Sequence, residues 1–202
     1  MIHSQDRSGW FGASDTYILM CSGVDTKSFA RWWAVKLGLF ESSIATPAMI
    51  AGTNWEHRIL EHMGIVQMDR QIRTRKYRLR VNLDGETERI VVEVKTHRAD
   101  KPFRVSKAYW MQAQVERFAA GKDVIIAAYG LESEDYRNYF RPVDPLRLKE
   151  IPIPYDAAWI QMEYLPRLQY FADCLRRGIK PQKKAGERDG DRFTRFSAGF
   201  DV

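Results

Sequence analysis

Asp84, Glu93 and Lys95 are the residues whose types and spacing could do chemistry on a phosphodiester. Leu79, Val81 and Leu83 alternate with polar residues, the pattern of a half-buried strand. Asp84-Gly85 reads as the turn that follows, because glycine accepts the dihedrals a tight turn demands. Ile90 to Val94 is β-branched and apolar, interrupted only by Glu93. A carboxylate in such a strand is expensive to desolvate unless something positive meets it. Lys95 is next but one, so its side chain leaves the same face as that of Glu93, and Asp84 can converge on the same point from across the turn. Carboxylate oxygens suit Mg²⁺ or Mn²⁺, and a divalent ion can lower the pKa of a bound water and neutralise charge developing on phosphorus. The lysine can position or activate the attacking water. The plainer reading is a hairpin with a Glu–Lys pair on its wet face.

The flanking elements supply further candidates. Thr46-Pro47 opens a helix running to about Met63 and stopped by Gly64, with an apolar stripe of Met49, Ile50, Trp55, Ile59, Leu60 and Met63. Glu56 lies beside that stripe, and Gly52, one turn earlier, leaves room for something to approach. Residues 65–96 read as β, with a single strand from Ile72 to Leu83 whose arginines, Arg73, Arg78 and Arg80 among them, line a wet face. Residues 105–120 form a helix capped near Ser106 and ended by Gly121. Gln112 falls there in a small, apolar row with Ala108, Val115 and Ala119, one turn after Tyr109, and a buried amide needs partners. Ser14 reads as the N-cap of an early helix, with Arg7 just upstream, a combination suited to an anion. A buried strand at Val124–Tyr129, an edge strand at Leu146–Ile153 and a long helix from Asp156 to Arg177, bent at Pro166, complete the folded part. The basic stretch 179–202 reads as a tail beyond a single domain of residues 1–178.

The bulk properties fit this reading. A chain of 202 residues with 45% hydrophobic residues can bury a core, and its formal charge of +6 favours a polyanionic partner. No apolar run is long enough to span a membrane, and no signal-peptide core is evident, so a cytoplasmic location is expected. Cys21 and Cys174 are too few for a four-cysteine zinc site, and the histidines show no ligand spacing.

Taken in order, Gly52-x-x-x-Glu56, Asp84-Gly85, Glu93-Val94-Lys95 and Tyr109-x-x-Gln112-x-Gln114 resemble the PD-(D/E)xK nuclease superfamily and, more narrowly, the lambda exonuclease branch of YqaJ-like viral recombinases. Gly12-Ala13-Ser14, at the family's spacing from Arg7, adds to the match. Leu83 stands where the family usually has proline, and Thr96-His97 replaces its frequent Cys-Pro. The resemblance implies an α/β fold, a restriction-endonuclease-like mixed central sheet flanked by helices. It implies a Mg²⁺-dependent exonuclease, with Mn²⁺ as a substitute, acting 5′→3′ on double-stranded DNA ends in phage-type recombination. Asp84, Glu93, Glu56 and the Val94 carbonyl would hold the metal. Lys95 would be the catalytic lysine and Gln112 its support. Arg7 and Ser14 would grip a 5′-phosphate, with Arg78, Arg80 and Tyr109 on the DNA. A single-strand annealing protein as partner and a ring-shaped homotrimer are also implied. The alternatives are an endonuclease or repair nuclease of the same fold, and a catalytically silent DNA-binding or inhibitory protein.

Overall fold

The structure is a computed structural model and describes residues 8–40 and 46–183; Arg7 and residues 184–202 of the expected tail lie outside the described residues. Five strands form one mixed sheet in sequential order: β1 (Gln67–Thr74), β2 (Leu79–Glu86), β3 (Ile90–Arg98), β4 (Asp123–Leu131) and β5 (Leu148–Ile153). Only β3 and β4 run parallel. Parallel neighbours need a long crossover, and helix α4 (Lys107–Ala120) supplies it. Its ends are those expected: the Ser106 hydroxyl accepts from the Tyr109 N–H, and Gly121 takes the left-handed conformation at φ 68°.

The sheet separates two apolar cores. On one face Val92, Val94, Ala127 and Tyr129 pack with Trp55, Ile59 and Leu60 of α3 (Pro47–His62). On the other, Val91, Leu83 and Ile126 pack with Met111 and Val115 of α4. That second core also takes residues from α1 (Thr16–Cys21), α2 (Lys27–Lys36) and α6 (Leu165–Arg176). The alternation along β3 therefore aims Glu93 and Lys95 at α4, on the side of Val91.

Several expectations need correction. The single strand from Ile72 to Leu83 is two strands, broken by a 3₁₀ turn at Arg75–Tyr77 that closes with Arg78 left-handed at φ 52°. Across that break the arginines still gather in one place: the Arg73 and Arg78 guanidinium groups each lie 5.8 Å from the Trp10 ring, and Arg80 borders the same pocket as Trp10. Asp84-Gly85 is not the turn. Gly85 pairs with Val92 inside the β2–β3 hairpin, whose turn follows Glu86. Glycine is needed there for close packing, since a Cβ would come within 2.6 Å of Leu60 Cδ2 and 2.8 Å of Ile65 Cγ2. Met49 and Ile50 are exposed rather than part of the α3 stripe, because they lie in its first turn, ahead of the core contacts that begin at Ala51. The C-terminal helix is not bent by Pro166 alone. A π turn at Ile160–Tyr164 joins α5 (Ala157–Trp159) to α6, directly ahead of the proline that cannot donate to the regular ladder. The register shift leaves Met162 74% exposed.

Candidate active site

The centre forms where β2 and β3 part. Their pairing covers only Gly85↔Val92 and Glu86↔Val91. Leu79, Val81 and Leu83 face the α4 core, whereas a Cβ on Gly85 would meet the α3 core, so the strand's alternation breaks at Asp84. The Asp84 carboxylate uses the opening: its Oδ2 accepts from the Val94 N–H at 2.9 Å, a donor that the ladder leaves unused on this side. Residues from both faces of the sheet meet here.

From β3, the Lys95 ammonium donates to Glu93 Oε1 at 2.5 Å and to Gln112 Oε1 at 3.3 Å, and lies 5.1 Å from the Tyr109 ring. From α4, the Gln112 amide nitrogen donates to Glu93 Oε1 at 2.5 Å and to Glu116 Oε1 at 2.8 Å. From α3, Glu56 approaches closely enough for its charge to act on Asp84. The approach depends on Gly52, whose added Cβ would stand 3.3 Å from Thr96 Oγ1 on β3. Asp84, Glu93, Lys95, Gln112 and Glu56, drawn from four elements, are thus brought together.

Electrostatics show what this arrangement lacks. Burial, then the Glu93 charge, raises Glu56 to about 7. Burial and the Glu93 charge also hold Asp84 well above the usual carboxylate range, and Glu116 likewise. Burial alone would lower Lys95, but the adjacent Glu93 carboxylate, with Asp84 and Glu116, reverses this and raises it. The Lys95 ammonium thus touches Glu93 and lies in the field of Asp84, Glu116 and Glu56. Glu93 is 4% exposed and Glu116 fully buried, and the two carboxyl groups meet. Acids this crowded hold their protons, and a hard divalent cation would relieve them, so by residue type the set suits Mg²⁺ or Mn²⁺, although among the described residues no three ligand atoms of Asp84, Glu93, Glu56 and Glu116 lie within 4.8 Å of one another.

With this geometry set out, known proteins can be compared. No family model matches the sequence, and no curated protein matches it. Solved structures do match. LHK-Exo in complex with dAMP superposes with a TM-score of 0.63 at 19% identity, over 85% of this chain and 90% of that one. A second LHK-Exo structure, an alkaline exonuclease from Laribacter hongkongensis, gives 0.57 at 18% identity, over 85% of this chain and 94% of that one. A phage-related exonuclease from Haemophilus somnus 129PT gives 0.57 at 12% identity, over 84% and 96%. The chain has the fold of these exonucleases. Its mixed sheet flanked by helices is the α/β architecture that the motifs imply.

On this exonuclease fold the other candidates fall beside the acidic centre. Ser14 does not cap a helix: it sits inside a 3₁₀ turn, Ala13–Asp15, entered from Gly12, and its side chain is exposed. It lines a pocket of about 80 Å³ with Trp10, Lys36, Arg80 and Gln112, so Gln112 belongs to both pocket and centre. Asp15 holds this turn, accepting from the Gly12 N–H at 2.7 Å, Trp32 Nε1 at 2.8 Å and Lys36 Nζ at 2.5 Å. Arg78 stays with Trp10 rather than among the pocket's lining residues, and Tyr109 covers Lys95.

Sequence reasoning missed Glu116, Asp15 and Lys36. Glu116 had a signal, since it follows Gln112 by four residues and so shares its helix face. Asp15 and Lys36 had none, being joined only by the fold. His57 was given no ligand role, yet among the described residues Glu56, His57 and Asp69 present ligand atoms within 4.8 Å of one another, with His57 Nε2 and Asp69 Oδ2 3.1 Å apart.

Proposed function

We propose that the chain is a metal-dependent deoxyribonuclease: a Mg²⁺-dependent exonuclease that degrades double-stranded DNA 5′→3′ from its ends, leaving 5′-phosphate products, in phage-type recombination. The observation that carries this reading is the Glu93–Lys95–Gln112 contact set, with Asp84 bound to the Val94 N–H beside it and Glu56 near enough for its charge to act on both acids. Asp84, Glu93, Glu56 and the Val94 carbonyl are assigned to the ion. When bound, it would lower the pKa of a water and offset charge on the phosphorus.

The rest of the work falls to side chains. Glu93 and its neighbours hold Lys95 protonated, so Lys95 supplies fixed positive charge and orients a water or phosphate oxygen rather than taking a proton. Gln112 ties Lys95 to Glu93 and borders the pocket. Ser14 and Arg80 offer a hydroxyl and a guanidinium to a terminal phosphate in that pocket, with Arg7 assigned to the same task. Arg78 is assigned to the DNA backbone beyond it. The annealing partner and the homotrimer rest on the motif resemblance and belong to the same proposal.

A plasmid digest tests the reading. Linear DNA should be degraded with Mg²⁺ and not with EDTA, closed circles should survive, and 5′-phosphorylated ends should be preferred over 5′-hydroxyl ends. Cleavage of closed circles would replace the exonuclease by an endonuclease. No metal-dependent loss of any substrate would end the nuclease reading.

A further inference from the structure

The Gln112 amide is held at every polar position. Its two hydrogens go to Glu93 Oε1 and Glu116 Oε1, at 2.5 and 2.8 Å, and its oxygen faces the Lys95 ammonium at 3.3 Å. The reverse orientation would set the amide oxygen against the Glu93 carboxylate and its NH₂ against an ammonium, so the surroundings favour the orientation seen. Glu93 contributes to that choice, but Glu93 also carries the Lys95 contact on the same oxygen. Glu116 is the second acceptor: it is 0% exposed, one helical turn from Gln112, and its carboxyl group also meets that of Glu93. The effect reaches Glu93, whose Oε1 is held by Lys95 and Gln112 together.

We infer that Glu116 is a positioning residue of the centre: it takes one Gln112 hydrogen, fixes the amide with its oxygen toward Lys95 and its nitrogen on Glu93, and thereby holds the Glu93 carboxylate in the place a cation would need it. This rests on the nuclease reading for its consequence but not for its geometry. Outer residues that orient metal-binding groups typically change metal affinity or activity by about 10- to 100-fold when lost.

Four variants test it: Glu116→Gln, which keeps an acceptor oxygen, Glu116→Met, which removes it at similar volume, Gln112→Met, and the double variant Gln112→Met/Glu116→Met. Mn²⁺ binding without DNA is measured by calorimetry, and Mg²⁺-dependent digestion of linear DNA in parallel, with circular dichroism to check folding. Glu116→Met should weaken Mn²⁺ binding and slow digestion by roughly 10-fold or more, and Glu116→Gln should stay within about threefold of wild type. The double variant should be no worse than Gln112→Met alone, because a residue acting through Gln112 has nothing left to act on. Glu116→Ser, with a hydroxyl too short to reach the amide, serves if Glu116→Met does not fold. A folded Glu116→Met variant with wild-type binding overturns the inference. So does a Glu116→Gln loss equal to that of Glu116→Met, which would make the charge rather than the acceptor decisive. If wild type binds Mn²⁺ but digests nothing, the nuclease reading fails and the binding measurements still judge Glu116.

Discussion

Asp84 combines two interactions that substitution can separate. Its Oδ2 accepts the Val94 N–H, which holds the parted strands together, and its charge adds to that of Glu93 and Glu56. Asp84→Asn keeps an acceptor for Val94 and removes the charge. Digestion should fall by at least about 100-fold, while the metal-free protein at neutral pH melts at a higher temperature because a buried like charge is gone. Equal activity in the variant would remove Asp84 from the metal site. The same crowding sets a pH dependence. Glu56 binds its proton more tightly in the folded protein, with a pKa of about 7 against 4.5 for the free group, and Asp84 and Glu116 shift in the same direction. Groups raised by folding stabilise the protein fully below their unfolded pKa and lose that contribution as the pH climbs through the folded value. The melting temperature in EDTA should therefore fall as the pH rises from about 4.5 to 7 and somewhat beyond, and Mg²⁺ should recover most of the loss at the upper end. A flat profile in differential scanning fluorimetry, or one insensitive to Mg²⁺, would contradict a compressed acidic site.

At the scale of elements, the centre depends on a strand that changes face at Asp84, and Gly85 makes the change possible. Gly85→Ala would press a methyl group into Leu60 and Ile65, both buried in the α3 core. A cost of about 1–3 kcal/mol is expected in chemical denaturation, since packed cores accommodate added volume poorly. Activity should fall as well, because relief of the clash moves the Asp84 backbone. The dipeptide was visible in the sequence, but its reason was not: a glycine needed for a turn and a glycine needed for close packing read alike. Local signals did mark α3, α4 and the β3 alternation, through Thr46-Pro47, Ser106, Gly121 and the Glu93/Lys95 spacing, and these were enough to bring Glu56, Glu93, Lys95 and Gln112 together. What could not be read depends on distant contacts or on hydrogen-bond register. The Asp15–Lys36 pair spans two elements, the π turn at Ile160–Tyr164 widens a helix without changing its composition, and the break at Arg75–Tyr77 interrupts an otherwise strand-like run.

For the molecule as a whole, the formal charge of +6 favours a polyanion. Among the described residues the buried charged groups are Asp15, Glu86, Glu93, Glu116 and Asp135 against Lys36 alone. Among the described residues the buried charge is thus mostly negative. Glu86 is met by Arg70 and Lys122 and Asp135 by Arg141 and Arg147, so those cations are taken and the basic groups left for a polyanion lie elsewhere, Arg80 at the pocket wall among them. A surface of that kind attracts a phosphate backbone without regard to sequence, and each neutralised phosphate releases counterions on binding. Affinity for a short duplex, measured by fluorescence anisotropy in EDTA so that no DNA is consumed, should be independent of base sequence and should fall by at least about tenfold between 50 and 200 mM salt. Glu116→Met should leave this slope unchanged, because a buried residue of the centre contacts no phosphate, whereas Arg80→Ala, at the pocket wall, should reduce it by about one phosphate contact. Binding that ignores salt would mean that the basic surface has another use, and would leave the acidic centre without the substrate its geometry favours.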